Sequence, residues 1–215
     1  MAVASRFDPD LAPLVARARE LADGRDRVII GIAGAPGSGK STLAEAVVAG
    51  LGAVGVPAVQ VPMDGFHLSD AALDLLGRRD RKGAPDTFDA AGYAALLARL
   101  RTPHDGDTVW APGFERELEQ PIAGVIPVGP SVRVVVTEGN YLLLDDEWAA
   151  VRSLLDEAWC VVSDPQVRHR RLIARHVAFG KSPADAAAWV DAVDEPNARV
   201  VDSEASGADL VVRCL

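Results

Sequence analysis

Apolar positions along the chain follow two rhythms. Near-continuous runs of β-branched and other apolar residues at 27–33, 57–62, 132–136, 158–162 and 208–212 read as short buried strands. Between them, apolar residues recur three and four apart and predict helices. The first covers 8–22, with Asp8 as N-cap, Pro9 in the first helical position and Leu11, Leu14, Val15, Ala18 and Leu21 on one face. The next follows 42–49 and ends near Gly50 and Gly52. Further helices are predicted at 69–76 behind Ser69, at 90–101 behind Asp89, at 147–155, at 164–176, at 182–193 and from Glu195 onward. In the 90–101 helix, Tyr93, Leu96, Leu97 and Leu100 form the apolar face. The run 108–116 reads as a strand entering an irregular loop, and 122–128 as a further short strand. Strands alternating with helices predict an α/β chain on a parallel sheet.

The first strand meets the second helix at Gly34-Ala35-Pro36-Gly37-Ser38-Gly39-Lys40-Ser41, followed by Thr42. This fits G-x-x-x-x-G-K-[ST], the phosphate-binding P-loop, in the strand–loop–helix context that the pattern requires. The glycines let backbone N–H groups converge on phosphate oxygens, and the helix N-terminus adds partial positive charge. Lys40 is placed to reach the β- and γ-phosphates and Ser41 to hold Mg²⁺. The plainer alternative is a glycine-rich turn capping an ordinary βα unit. Only Lys40, Lys82 and Lys181 are lysines among the 22 basic residues, and a compact ammonium suits a place among phosphates.

In an open parallel sheet, ligands sit beyond the carboxyl ends of the strands. The second strand ends there in Met63-Asp64-Gly65-Phe66-His67. Asp64 can take a proton from an attacking hydroxyl or hold a metal-bound water; the alternative is a solvated turn aspartate before Gly65. His67 touches substrate or caps the loop. The 132–136 run ends in Thr137-Glu138, a Walker B arrangement with Glu138 as the acid, placed to help hold Mg²⁺.

Arg168, Arg171 and Arg175 share one helix face and, with Arg170, make four arginines without an acid, which argues for anion binding over a plain solvated face. The basic stretch 77–89 reads as a solvated loop or as a flexible segment beside an acceptor. Trp110 and Phe114 either wall a pocket or pack in the core. Glu115 and Arg116 are candidate substrate contacts, and Asn197 contacts ligand or caps its helix. The 203–207 loop lies within reach of an adenine. His169 and His176 are seven apart and lack a third metal ligand.

The chain has 215 residues, 49% hydrophobic and 25% charged, which is ordinary for one sizeable core with a small lid. A net charge of −9 argues against nucleic acid as a partner, so anionic ligands must be held by local clusters of positive groups. No apolar run approaches a membrane span, and 1–10 lacks the apolar region of a signal peptide, so a cytoplasmic chain without membrane attachment is expected. Cys160 and Cys214 lack metal spacing, and Cys160 is expected as a buried thiol.

Several motifs recur in a set order: the P-loop, Asp64-Gly65-Phe66-His67, the segment from Lys82 to Asp89, Thr137-Glu138-Gly139-Asn140-Tyr141-Leu142-Leu143 and the arginine helix. Together they resemble the uridine kinase, phosphoribulokinase and bacterial pantothenate kinase superfamily of P-loop small-molecule kinases. The nearest likeness is to bacterial nucleoside/nucleotide kinase-like proteins associated with fructose transport. The resemblance implies a P-loop NTPase three-layer sandwich of about five parallel strands with helices on both faces, in a single domain over 1–215 with a lid at roughly 166–182. It implies ATP as donor, Mg²⁺, and a small-molecule hydroxyl as acceptor. By motif position, Asp64 resembles the catalytic base, Lys40 and Ser41 the phosphate and Mg²⁺ ligands, Glu138 the Walker B acid, and Arg171 and Arg175 the lid arginines. Uridine kinases carry Asp-Ser-Phe-Tyr where this chain has Asp-Gly-Phe-His, so the acceptor is left open among nucleoside, sugar, sugar phosphate and pantothenate.

The expected function is transfer of the ATP γ-phosphate to a hydroxyl of a small metabolite. The rival is a hydrolysing or non-catalytic nucleotide-binding module. A guanine-specific switch is disfavoured, since neither Asn140 nor Asn197 precedes a lysine. A homodimer is among the assemblies left open.

Overall fold

Every residue of strand β1, Val28–Gly34, is buried. Its side chains alternate between two cores: Val28, Ile30 and Ile32 face one, and Ile29 and Ala33 the other. The computed structural model in which this is seen describes residues 10–102 and 106–214. β1 lies at the centre of a five-stranded sheet with β2 (Ala58–Pro62), β5 (Val134–Gly139), β6 (Glu157–Ser163) and β7 (Leu210–Cys214), in the order β2-β5-β1-β6-β7. All four pairings are parallel. Helices α1 (Leu11–Ala22) and α2 (Lys40–Ala53) cover one face. Helices α4 (Ala90–Arg101), α5 (Ala149–Leu154) and α8 (Glu195–Ser203) cover the other. The chain is thus the expected three-layer α/β sandwich with five parallel strands. Among the described residues, no helix is long and apolar enough to cross a membrane.

Three further helices complete the set: α3 (Asp70–Leu76), capped by Ser69, α6 (Pro165–Ala178), capped by Asp164, and α7 (Pro183–Trp189), capped by Ser182. A π-helical turn, Val190–Asp194, joins α7 to α8. The run expected to enter an irregular loop instead forms a hairpin: β3 (Val109–Glu115) pairs antiparallel with β4 (Gln120–Val128), with a register shift between Ala111 and Gly113, apart from the main sheet.

One helix end differs from expectation. Asp8 and Pro9 lie outside the described residues, and α1 starts at Leu11 with the Asp10 carboxylate accepting from the Ala12 amide. Helix α2 ends at Ala53, directly after Gly52 and close to where it was expected to end. A Cβ at Gly50 would come within 2.5 Å of Val15 Cγ2, so this glycine serves close packing of α2 on α1 rather than termination.

Cys160 and Cys214 are buried free thiols, and burial pushes Cys160 up to about 11. Beneath the sheet, the buried Arg27 guanidinium donates to three carbonyls, Val132 at 2.8 Å, Leu100 at 3.0 Å and Gly129 at 2.7 Å. One side chain thereby closes the end of α4 and the turn before β5. Burial without a carboxylate lowers its pKa. Arg27→Met leaves those carbonyls unpaired and is expected to cost about 2–4 kcal/mol. Urea unfolding checks this as a lower midpoint at unchanged slope.

Candidate functional site

Strand register brings the predicted carboxylates to one edge. Glu138 pairs with Ile32 on one side and with Pro62 on the other, so it sits two residues from the P-loop start and two from Asp64. Thr137 fixes this edge. Its hydroxyl donates to the Val61 carbonyl at 2.6 Å and accepts from the Tyr93 hydroxyl on α4. Gly139 is needed for the approach of the two strand ends, because a Cβ there would lie 2.5 Å from Met63 Cβ. After β2 the chain makes one 3₁₀ turn, Met63–Phe66, which carries Asp64. A Cβ at Gly65 would sit 2.6 Å from the Pro112 carbonyl oxygen, so Gly65 lets the β3–β4 hairpin seat directly on that turn.

The P-loop has the backbone its sequence requires. Gly37 and Gly39 have φ of 76° and 96°, in the left-handed region that favours glycine. Gly37 is also pressed by α6, where a Cβ would meet Leu172 Cγ at 2.9 Å. Arg168 on α6 is buried; it donates to the Pro36 carbonyl at 3.4 Å and pairs with Glu195 at 3.0 Å. The Ser38 hydroxyl oxygen is buried with no protein partner. An orphaned hydroxyl inside a glycine cradle at a helix N-terminus fits a bound phosphate.

The loop opens on a cavity of about 520 Å³ that Lys40, Asp64, His67, Arg116, Arg175 and Asn197 help to line. Lys40 is half-buried, and desolvation lowers its pKa against the attraction of Glu138 and Asp64. Glu138 is almost fully buried; burial raises its pKa against Lys40 and against a hydrogen bond with Ser41. Arg116, on the hairpin, stands 3.8 Å from Asp64. The His67 ring packs at a tilt against Phe88, centroids 4.0 Å apart, and against Phe114, 4.9 Å apart. Burial lowers its pKa despite the charge of Asp64. The neutral ring donates from Nδ1 to the Asp64 carbonyl at 2.9 Å, leaving Nε2 as an acceptor.

The arginine face divides. Arg175 lines the cavity, whereas Arg171 is exposed on α6 and absent from the lining. Arg168 does not belong to an acid-free anion site: Glu195, from a helix far along the chain, neutralises it. Trp110 is exposed and walls nothing in the cavity, while Phe114 lines it. Glu115 is exposed and outside the lining, and Ser203–Gly207 form the end of α8 and a 3₁₀ turn. Asn197 is buried, and its amide donates to the Gly83 carbonyl at 3.3 Å. His169 pairs with Asp191 and His176 with Asp194.

The 77–89 segment is not a free loop. Thr87 accepts from the Gly83 amide and donates to the Ala84 carbonyl; Phe66 and Thr87 carbonyls accept from the Asp89 and Leu68 amides. Lining groups that sequence reasoning passed over include Asn140, His176, Trp189 and Asp194. Asn140 stands two residues after Glu138 in the same motif, which was a usable signal. The π-helical turn before α8 gave none.

A family model described as phosphoribulokinase / uridine kinase matches residues 29–215. The chain belongs to this family. The uncharacterised protein YggC of Escherichia coli K12 is 35% identical over 86% of this chain and 77% of its own length. A Schizosaccharomyces pombe protein provisionally named a uridine kinase is 33% identical over 93% of this chain and 88% of its own. Among solved structures, a Silicibacter sp. TM1040 protein provisionally named a fructose transport system kinase superposes with a TM-score of 0.85. It is 38% identical and covers 95% of this chain and all of its own length (100%). The fold and the P-loop are therefore those of a kinase-like member of this family.

Gly65→Ala is expected to push the hairpin off the Asp64 turn, at about 1–3 kcal/mol of stability. Denaturant unfolding reads the loss, and hydrogen exchange reads faster opening of β3 and β4 than of the main sheet.

Proposed function

We propose that the chain is an ATP-dependent phosphotransferase that moves the γ-phosphate to a hydroxyl of a small metabolite. The reading rests chiefly on one observation: Lys40 of the P-loop and Asp64 line the same cavity. One end of that cavity suits a polyphosphate and the other an alcohol.

In this reading the P-loop amides and the Ser38 hydroxyl hold the phosphate chain, and Lys40 neutralises charge on the β- and γ-phosphates. Ser41 and Glu138 would hold Mg²⁺, which supplies further neutralisation when bound. Asp64 accepts the proton of the acceptor hydroxyl as its oxygen attacks phosphorus in line and ADP leaves. Arg116, 3.8 Å from Asp64, helps orient its carboxylate. His67, fixed by its neighbours, accepts a hydrogen bond from the acceptor through Nε2. Arg175, with Arg171 one turn earlier on α6, gathers charge from the transferring group when 166–182 closes and excludes water. The whole of 1–215 acts as one catalytic domain, with Asn197 at the acceptor's edge.

The test is Asp64→Asn. Affinity for a fluorescent ATP analogue is expected to stay within threefold of wild type, while turnover falls by about 10²–10⁴-fold. The acceptor is sought by ADP release over nucleosides, ketoses, pentose phosphates and pantothenate, with that variant as blank. Equal turnover of variant and wild type would remove Asp64 as base. ATP binding without transfer to any acceptor would favour a nucleotide-binding module.

A further inference from the structure

The acceptor half of the cavity is closed by the β3–β4 hairpin, which is not part of the main sheet. Two of its side chains face the reacting carboxylate region: Phe114 against His67 and Arg116 toward Asp64. A two-stranded hairpin is marginal by itself, so something must hold it in place.

Part of the hold is backbone packing on Gly65. The rest converges on Lys82. Its ammonium donates to the Asp70 carboxylate at 2.7 Å and to the backbone carbonyl of Glu119 at the hairpin turn. It also lies 5.8 Å from the centre of the Phe114 ring. The start of α3 and the hairpin turn therefore meet at one side chain that is 13% exposed. Glu119 is one of two non-glycine residues with positive φ among those described, at 52°. That conformation is unfavourable for a glutamate and aims its carbonyl at the lysine. Gln120 adds a neighbouring tie, its side-chain oxygen accepting from the Asp70 amide at 3.2 Å. Asp70 has a second cation, Arg79 at 2.8 Å, so it remains neutralised without Lys82. Lys82 was singled out in the sequence as one of three lysines suited to phosphate, yet its partners are a carboxylate and a carbonyl.

We propose that Lys82 is a positioning residue for the acceptor site: it latches the hairpin turn to the start of α3 and so sets Phe114 and Arg116 opposite Asp64. An ammonium suits this task because its three donors diverge from one point, toward a carboxylate on one side and a carbonyl on the other. The role rests on the kinase reading only for its kinetic consequence; the latch itself is a property of the hairpin.

The experiment uses the full chain as Lys82→Met and Lys82→Arg. Methionine keeps an unbranched apolar side chain and removes the ammonium with its donors. Hydrogen exchange in the Met variant is expected to rise roughly tenfold at hairpin amides 113–122 and to stay unchanged in the five-stranded sheet. Affinity for a fluorescent ATP analogue is expected to remain that of wild type. For each acceptor that wild type phosphorylates, kcat/KM is expected to fall at least about tenfold, with KM for ATP unmoved. Arginine, which can reach both oxygens, is expected to restore most of both losses. Unchanged exchange at the hairpin overturns the latch. Exchange rising evenly through hairpin and sheet overturns it too, since the lysine would then serve only global stability. A loosened hairpin with wild-type kinetics overturns the positioning role. If wild type phosphorylates no acceptor tested, the kinase reading and the positioning role fall together, while the exchange result still decides the latch.

Discussion

A half-buried ammonium held beside carboxylates at the end of a buried sheet is the constraint on which this structure turns. Lys40 and Glu138 each lose hydration; the Lys40 charge is favoured by Glu138 and Asp64, and the Glu138 charge by Lys40 and the Ser41 hydroxyl, against repulsion from Asp64. That requires three strand ends to meet closely. The register of β1, β5 and β2 brings them together, Thr137 and Tyr93 tie two of them, and Gly139 removes the side chain that would hold them apart. The two apolar faces of the sheet, each covered by helices, supply the rigidity that keeps these charges from drifting into water.

The two ends of the cavity are built differently. The phosphate end is backbone: a glycine loop on a helix N-terminus, clamped from outside by α6 through Leu172 and Arg168. The acceptor end is side chains on peripheral pieces: a hairpin, a short helix and the tied segment 77–89. The first recurs wherever polyphosphate is bound. The second can vary without disturbing the sheet, which is how one fold hosts different acceptors.

The sheet was legible in sequence chiefly through its central strands β1, β5 and β6, which are buried on both faces for all or most of their length and so read as unbroken apolar runs. The P-loop, Asp64 and Glu138 were legible because each sits at a strand end, where a polar residue after such a run has few places to go. The hairpin was half legible. Pro112, Gly113 and Pro121 interrupt its pattern, and one face is open to solvent, leaving Trp110 exposed. Arg168 was misread because its neutralising partner, Glu195, is 27 residues away, and helical periodicity reports only neighbours on the same helix. Likewise nothing local links Lys82 to Glu119, or Asn197 to Gly83; those contacts exist only after the sheet has placed their segments.

The central claim is that the cavity joins a phosphate donor to an alcohol. Phosphorus NMR of the chain turning over Mg·ATP with the acceptor panel tests it most directly. The account predicts a phosphate monoester resonance growing in step with ADP, with little inorganic phosphate. Inorganic phosphate as the sole product beside ADP, whatever alcohol is present, would contradict it.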